Sequence, residues 1–139
     1  MKIVVDGNRV IAALIKESTT REIIFDSFFE FVTPDFILTE IRKYEDEIIK
    51  KARITKDEFE ILLTIIFENI IILSKTDYEH LIPKLEKEIN DYKDLPYLAA
   101  SISSNAYGIW SHDPDLLQQK KVKILTNIDM LRVSGRIEK

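Results

Sequence analysis

The chain has 139 residues, 45% of them hydrophobic, which suits one domain with a single sizeable core. Its net charge of −4 leaves no broad basic footprint of the kind that holds nucleic acid nonspecifically, although a metal-bridged contact with phosphates stays open. With no cysteine and only two histidines, the chain has no disulfide, no thiolate zinc site and no cysteine nucleophile, so any metal must be held by oxygen.

Met1 to Asn8, MKIVVDGN, reads as a buried parallel strand that delivers Asp6 to its carboxyl end, where ligands sit in open α/β sheets. Asp6 is equally readable there as a helix cap or a ligand. The apolar residues Val10, Ile11, Ala13, Leu14 and Ile15 then recur at helical spacing, with Asn8 placed as the cap. Thr19 to Glu30 reads as a second helix with Ile23, Ile24 and Phe28 inward, and Phe31 to Thr33 as a short strand stopped by Pro34.

From Asp35 to Ala52 the pattern is one amphipathic helix whose stripe is Ile37, Leu38, Ile41, Tyr44 and Ile48, with Glu40 beside it. Thr55 and Glu58 form a capping box opening the apolar helix through Asn69, and Ile70 to Leu73 follows as a β-branched strand. Asp77 is expected to cap a helix through Asn90, with Pro83 as a kink or late start.

Asp94, Leu95 and Pro96 open a helix whose buried face would be Leu98, Ala99, Ile102 and Ala106, ended by Gly108. Ile109 to His112 reads as a strand, Asp113-Pro114-Asp115 as the start of a short helix, Lys123 to Thr126 as a last strand, and Asn127 as the opening of a terminal helix. Strands alternate with helices throughout, which predicts an α/β fold with a mainly parallel sheet. No run reaches the ~18 apolar residues of a membrane span. The apolar start is too short for a signal peptide, so a cytoplasmic protein is expected.

If the first and fourth strands are neighbours, Asp6 and Asp113 meet at a switch point, with Asp94 and Glu40 reaching in from the first turns of helices. Four carboxylates close together raise one another's proton affinity and oppose folding, a cost that a hard divalent cation such as Mg²⁺ or Mn²⁺ removes.

Four motifs carry a resemblance over nearly the full length: Asp6-Gly7-Asn8 after the first strand, Pro34 to Glu40, Asp94 in KDLPYLAAS, and Ser111-His112-Asp113-Pro114-Asp115. In order and spacing the chain resembles the PIN-domain family of metal-dependent ribonucleases, which includes VapC-type toxins. The resemblance implies a three-layer α/β/α fold in one domain spanning 1–139, with Asp6, Glu40, Asp94 and Asp113 as the catalytic, metal-holding acids. It also implies Asp115 as an auxiliary acid, Asn8 and Ser111 as polar support, and Mg²⁺ or Mn²⁺ as cofactor. RNA would be the substrate, an antitoxin protein a partner in the toxin setting, and a homodimer the assembly.

Asp115 is equally readable as a first-turn helix acid, and Asp91 reads as a turn acid rather than the third site acid. Lys16, Arg9, Arg42 and Lys43 are candidates to flank the cleft, though charged helix faces are commonly just solvated. His112 and Trp110 read as space-filling, and His80 as solvated. A non-catalytic scaffold binding RNA or protein is the alternative, disfavoured because an idle acid cluster only costs stability. A haloacid-dehalogenase-like phosphatase would want an Asp where Asn8 stands, and a receiver-like domain would want adjacent acids after an early strand.

Overall fold

The computed structural model describes residues 1–138. Its centre is β1 (Lys2–Val5), in which Ile3, Val4 and Val5 are wholly buried, as a strand covered on both faces requires. Parallel to it lie β2 (Glu30–Pro34), with Ile3 opposite Phe31, and β4 (Gly108–Trp110), with Val4 opposite Ile109. β3 (Ile70–Leu73) lies outside β2 and β5 (Ile124–Leu125) outside β4, so the all-parallel sheet runs β3-β2-β1-β4-β5. The chain steps outward from β1 to one edge and then returns to β1's other side, which makes the β1/β4 boundary the switch point.

Helices cover both faces, giving the three-layer α/β/α architecture. α1 (Gly7–Ile15) packs against α2 (Thr19–Ile24), α3 (Phe36–Lys43), α4 (Glu45–Ala52) and α5 (Lys56–Phe67). The short α6 (Lys75–Tyr78) and α7 (Ile82–Leu85) pack against α8 (Leu95–Ser103), which lies on β1, β2 and β4. Right-handed crossovers put the connections before and after the switch on opposite faces. α9 (Pro114–Gln118) and α10 (Asn127–Val133) complete the order. Among the described residues no helix is long and apolar enough to cross a membrane.

Several local expectations are corrected. α1 begins at Gly7, so Asn8 lies inside its first turn rather than capping it. α2 ends at Ile24 because Asp26 accepts a hydrogen bond from the Phe28 amide at 2.9 Å and turns the chain; Phe28 points out and Phe29 is buried instead. The helix expected from Asp35 to Ala52 breaks at Tyr44, whose ψ of 10° leaves the helical range, and Glu45, Asp46 and Glu47 fill the first turn of a new helix. Leu38 and Tyr44 accordingly face solvent, leaving Ile37, Ile41 and Ile48 as the buried stripe.

Ser74, not Asp77, caps α6, and Asp77 reciprocates to the Ser74 amide at 3.0 Å. The segment beyond is a series of single turns rather than a helix to Asn90, with Pro83 in the first turn of α7. α8 ends at Ser103, five residues before Gly108, with Asn105 left-handed at φ 55°. Ile102 is exposed.

Gly108 instead opens β4. A Cβ there would lie 2.6 Å from the Lys123 carbonyl oxygen, so only glycine admits β5 at this spacing. The strand expected at 109–112 instead runs from Gly108 to Trp110, and the one expected at 123–126 is only Ile124–Leu125. α10 is capped by Thr126 with Asp129, one residue before the expected Asn127.

Candidate metal and catalytic site

β1 and β4 end side by side, and the Asp6 amide donates to the Trp110 carbonyl at 3.1 Å just past both strands. Asp6 occupies the N-cap position of α1 but caps nothing with its side chain. The carboxylate instead accepts the Ser111 hydroxyl at 2.5 Å. Ser111 Oγ in turn accepts the Asp113 amide at 3.0 Å and the Asn8 side-chain amide at 3.4 Å. One wholly buried hydroxyl therefore ties together Asp6, Asn8 and the segment carrying Asp113.

Asp113 sits at the N-cap of α9 and accepts the Asp115 amide at 2.8 Å, which fixes this short turn and aims Asp115. Asp94 arrives from the other side, on the single 3₁₀ turn Tyr92–Asp94 that leads into α8. Asp91 opens that turn and accepts the Lys93 amide at 3.0 Å, the capping role expected of it. Its carboxylate also comes within 4.8 Å of those of Asp94 and Asp115, a trio the sequence reading did not assemble.

Glu40 projects from α3 and accepts a short hydrogen bond from the Tyr97 hydroxyl. Tyr97 is almost fully buried on α8. A Cβ on Gly7 would stand 2.9 Å from both the Glu40 carboxylate and the Tyr97 hydroxyl, so Gly7 leaves the room in which the pair meets. The sequence reading singled out neither Tyr97 nor the need for glycine at position 7. A signal existed: Tyr97 lies three residues beyond Asp94, on the same side of the helix.

These acids act on one another. Burial, opposed by the Ser111 bond and reinforced by Glu40 and Asp113, pushes the Asp6 carboxyl up to about 7. Burial followed by repulsion from Asp113, Asp6, Asp91 and Asp115 pushes Asp94 up to about 8. Glu40 is also raised, chiefly by burial, against the lowering influence of Tyr97 and Lys93.

The donor set fits a hard divalent cation. All the groups are carboxylate oxygens, and Asp94 Oδ2 is buried with no hydrogen-bond partner. An unpaired buried oxygen is costly unless a cation or water completes it.

The cations divide into near and far. Arg9 is partly buried beside Asp6 and donates to Asn8 at 3.0 Å and to Thr20 and Asn127 at 3.4 Å each. Lys43 and Lys93 line a cleft that Glu40 also lines. Arg42 does not flank the site: it is bound to Glu45 at 2.6 Å and Glu60 at 2.5 Å on the outer surface. Lys16 lies at the far end of α1, about 15 Å of helix away from Asp6.

Trp110 is core, stacked on Phe31 and donating to Asn127 at 2.8 Å. His112 is exposed and accepts the Asn127 amide at 3.0 Å, helping to start α10. His80 is exposed, as expected.

A family model described as PIN domain matches residues 4–130. Among solved structures, a chain of VapBC2 from Rickettsia felis, crystallised bound to a DNA fragment from the promoter, matches with a TM-score of 0.65. The match has 15% sequence identity and covers 91% of this chain and 98% of that one, a likeness of fold. No sequence among curated proteins matches the chain.

Proposed function

The chain belongs to the PIN-domain family, and from that premise we propose that it is an endoribonuclease that hydrolyses RNA phosphodiesters with Mg²⁺ or Mn²⁺. The observation that carries this reading is Asp94, buried with one carboxylate oxygen unpartnered among acids that raise its proton affinity. Once ionised, such an arrangement opposes folding unless a cation compensates it.

In this reading Asp6, Asp94 and Asp113 would hold the metal, and Asp91 and Asp115, whose carboxylates come within 4.8 Å of that of Asp94, would stand beside it. A divalent cation held by these acids would supply a water of lowered proton affinity and offset charge on the phosphate. Ser111 fixes the rotamer of Asp6 and, with Asn8, the distance between the two strand ends. Glu40, held by Tyr97, orients the attacking water and takes up its proton, since burial has already raised the affinity of its carboxyl for one. Arg9 and Lys93 offset part of the negative charge at the two ends of the cluster.

The R. felis structure is of VapBC2, which supports an antitoxin-like protein as a partner of this chain. Exposed Ile61 and Ile65 on α5 support a homodimer. The test is cleavage of an end-labelled RNA pool with Mg²⁺, Mn²⁺ or EDTA. Metal-dependent cutting lost in Asp6→Asn and Asp113→Asn, both still folded, upholds the reading. A wild type that binds no divalent ion and cuts nothing leaves the scaffold alternative in its place.

A further inference from the structure

Phe36, Glu40, Lys43 and Tyr44 share one face of α3 and its end, at helical spacing. Facing them across a cleft of about 180 Å³ are Tyr92 and Lys93 of the turn that delivers Asp94. The cleft is smaller than the ~300–1,000 Å³ pockets that enclose a whole drug-sized ligand, so it is scaled to one planar ring. Tyr92 is 74% exposed, the most exposed of the large hydrophobic side chains, and Tyr44 is open to solvent on the opposite wall. Neither ring is spent on the core.

We propose that this cleft is a subsite for one unstacked nucleobase of single-stranded RNA, with Tyr92 and Tyr44 as its stacking walls and Lys43 and Lys93 holding the adjoining phosphates. The proposal deepens the nuclease reading and rests on it for the identity of the polymer. Three observations carry it. The cleft adjoins the acid site, because Glu40 lines it and Lys93, which also lines it, immediately precedes Asp94 on the same turn. It brings two cations beside an acid cluster that would otherwise repel a polyanion. Lys43 Nζ lies 5.6 Å over the Tyr44 ring, so charge and aromatic face are offered together, as single-stranded nucleic acid sites require. Stacking between aromatic rings and bases tolerates sequence, so the subsite favours unpaired over paired RNA more than it selects one base.

The experiment is stopped-flow fluorescence with a short single-stranded RNA carrying 2-aminopurine at successive positions, read with Mg²⁺ before any cutting, on wild type, Tyr92→Ala, Tyr92→Phe and Lys93→Ala. The expected result is quenching at one position in wild type, an apparent Kd raised roughly 5- to 100-fold in Tyr92→Ala, and recovery in Tyr92→Phe. Lys93→Ala should weaken binding and flatten its salt dependence. Absence of quenching at every position, or affinity and quenching unchanged in Tyr92→Ala, overturns the subsite. Cleavage of the same RNA without the probe is followed in parallel. Stacking without cutting upholds the subsite and removes the nuclease reading, whereas cutting that ignores Tyr92 does the reverse.

Discussion

The Ser111 hydroxyl donates to the Asp6 carboxylate at 2.5 Å, joining the ends of two strands that are 105 residues apart in sequence. Because the same oxygen accepts from Asp113 and Asn8, it sets the spacing of the acids as well as the rotamer of one of them. Ser111→Ala should cost about 1–3 kcal/mol, the usual penalty for leaving a buried partner unsatisfied. It should also raise the proton affinity of Asp6, because the Ser111 bond is what lowers it. Denaturant melts and Mn²⁺ titrations across pH 6–8 would check both, with weaker metal binding at the acid end expected for the variant. An unchanged titration in a folded variant would remove Ser111 from the site.

The metal-free protein should lose stability as pH rises from about 4 to 8. Asp6 and Asp94 have folded-state values of about 7 and 8, above those of an unfolded carboxyl. Over that interval the native state binds more protons than the unfolded one, so the slope of stability against pH is negative. Each unit of displacement is worth about 1.4 kcal/mol. Urea midpoints in EDTA should therefore fall toward pH 8, Mn²⁺ should restore them, and Asp94→Asn should flatten the EDTA curve. A stability rising with pH in EDTA would contradict this account of the cluster.

Tyr97→Phe should lower kcat by about 10- to 100-fold, the range for misplacing a general base. Because the Tyr97 bond lowers the proton affinity of Glu40, its removal should move the acid limb of the pH profile upward. Gly7→Ala should be more damaging, since the added methyl group would meet both the Glu40 carboxylate and the Tyr97 hydroxyl at 2.9 Å. Single-turnover rates and their pH dependence would separate this positioning role from a loss of stability alone.

Gly108→Ala tests the sheet. Its Cβ would lie 2.6 Å from the Lys123 carbonyl oxygen and 2.6 Å from the Leu125 side chain, where backbone cannot yield cheaply. A loss of about 1–3 kcal/mol is expected from such overpacking, measured by chemical denaturation. Stability equal to wild type would mean that β5 is not seated where the structure places it.

What the sequence by itself determined is whatever local chemistry decides. The apolar run before Asp6 forms the buried strand it reads as, Ile70 to Leu73 forms the strand its β-branching predicts, and Thr55 with Glu58 makes the expected reciprocal cap. Alternation of strands and helices sufficed for a parallel sheet, and acids at strand ends sufficed for a candidate site, because both follow from neighbours in sequence. Tertiary structure alone decided the rest. Whether Asp6 caps α1 or turns into the site depended on a hydroxyl from another strand, and Glu40 met Tyr97 across 57 residues. Asp91 reads locally as a turn acid and is one, yet packing also carries it to Asp94 and Asp115. Helix breaks at Ile24 and Tyr44, with no glycine or proline at either, escaped a periodic reading for the same reason. Periodicity records which face is buried, whereas a carboxylate's charge, partners and reach are set by side chains that only the folded chain brings near.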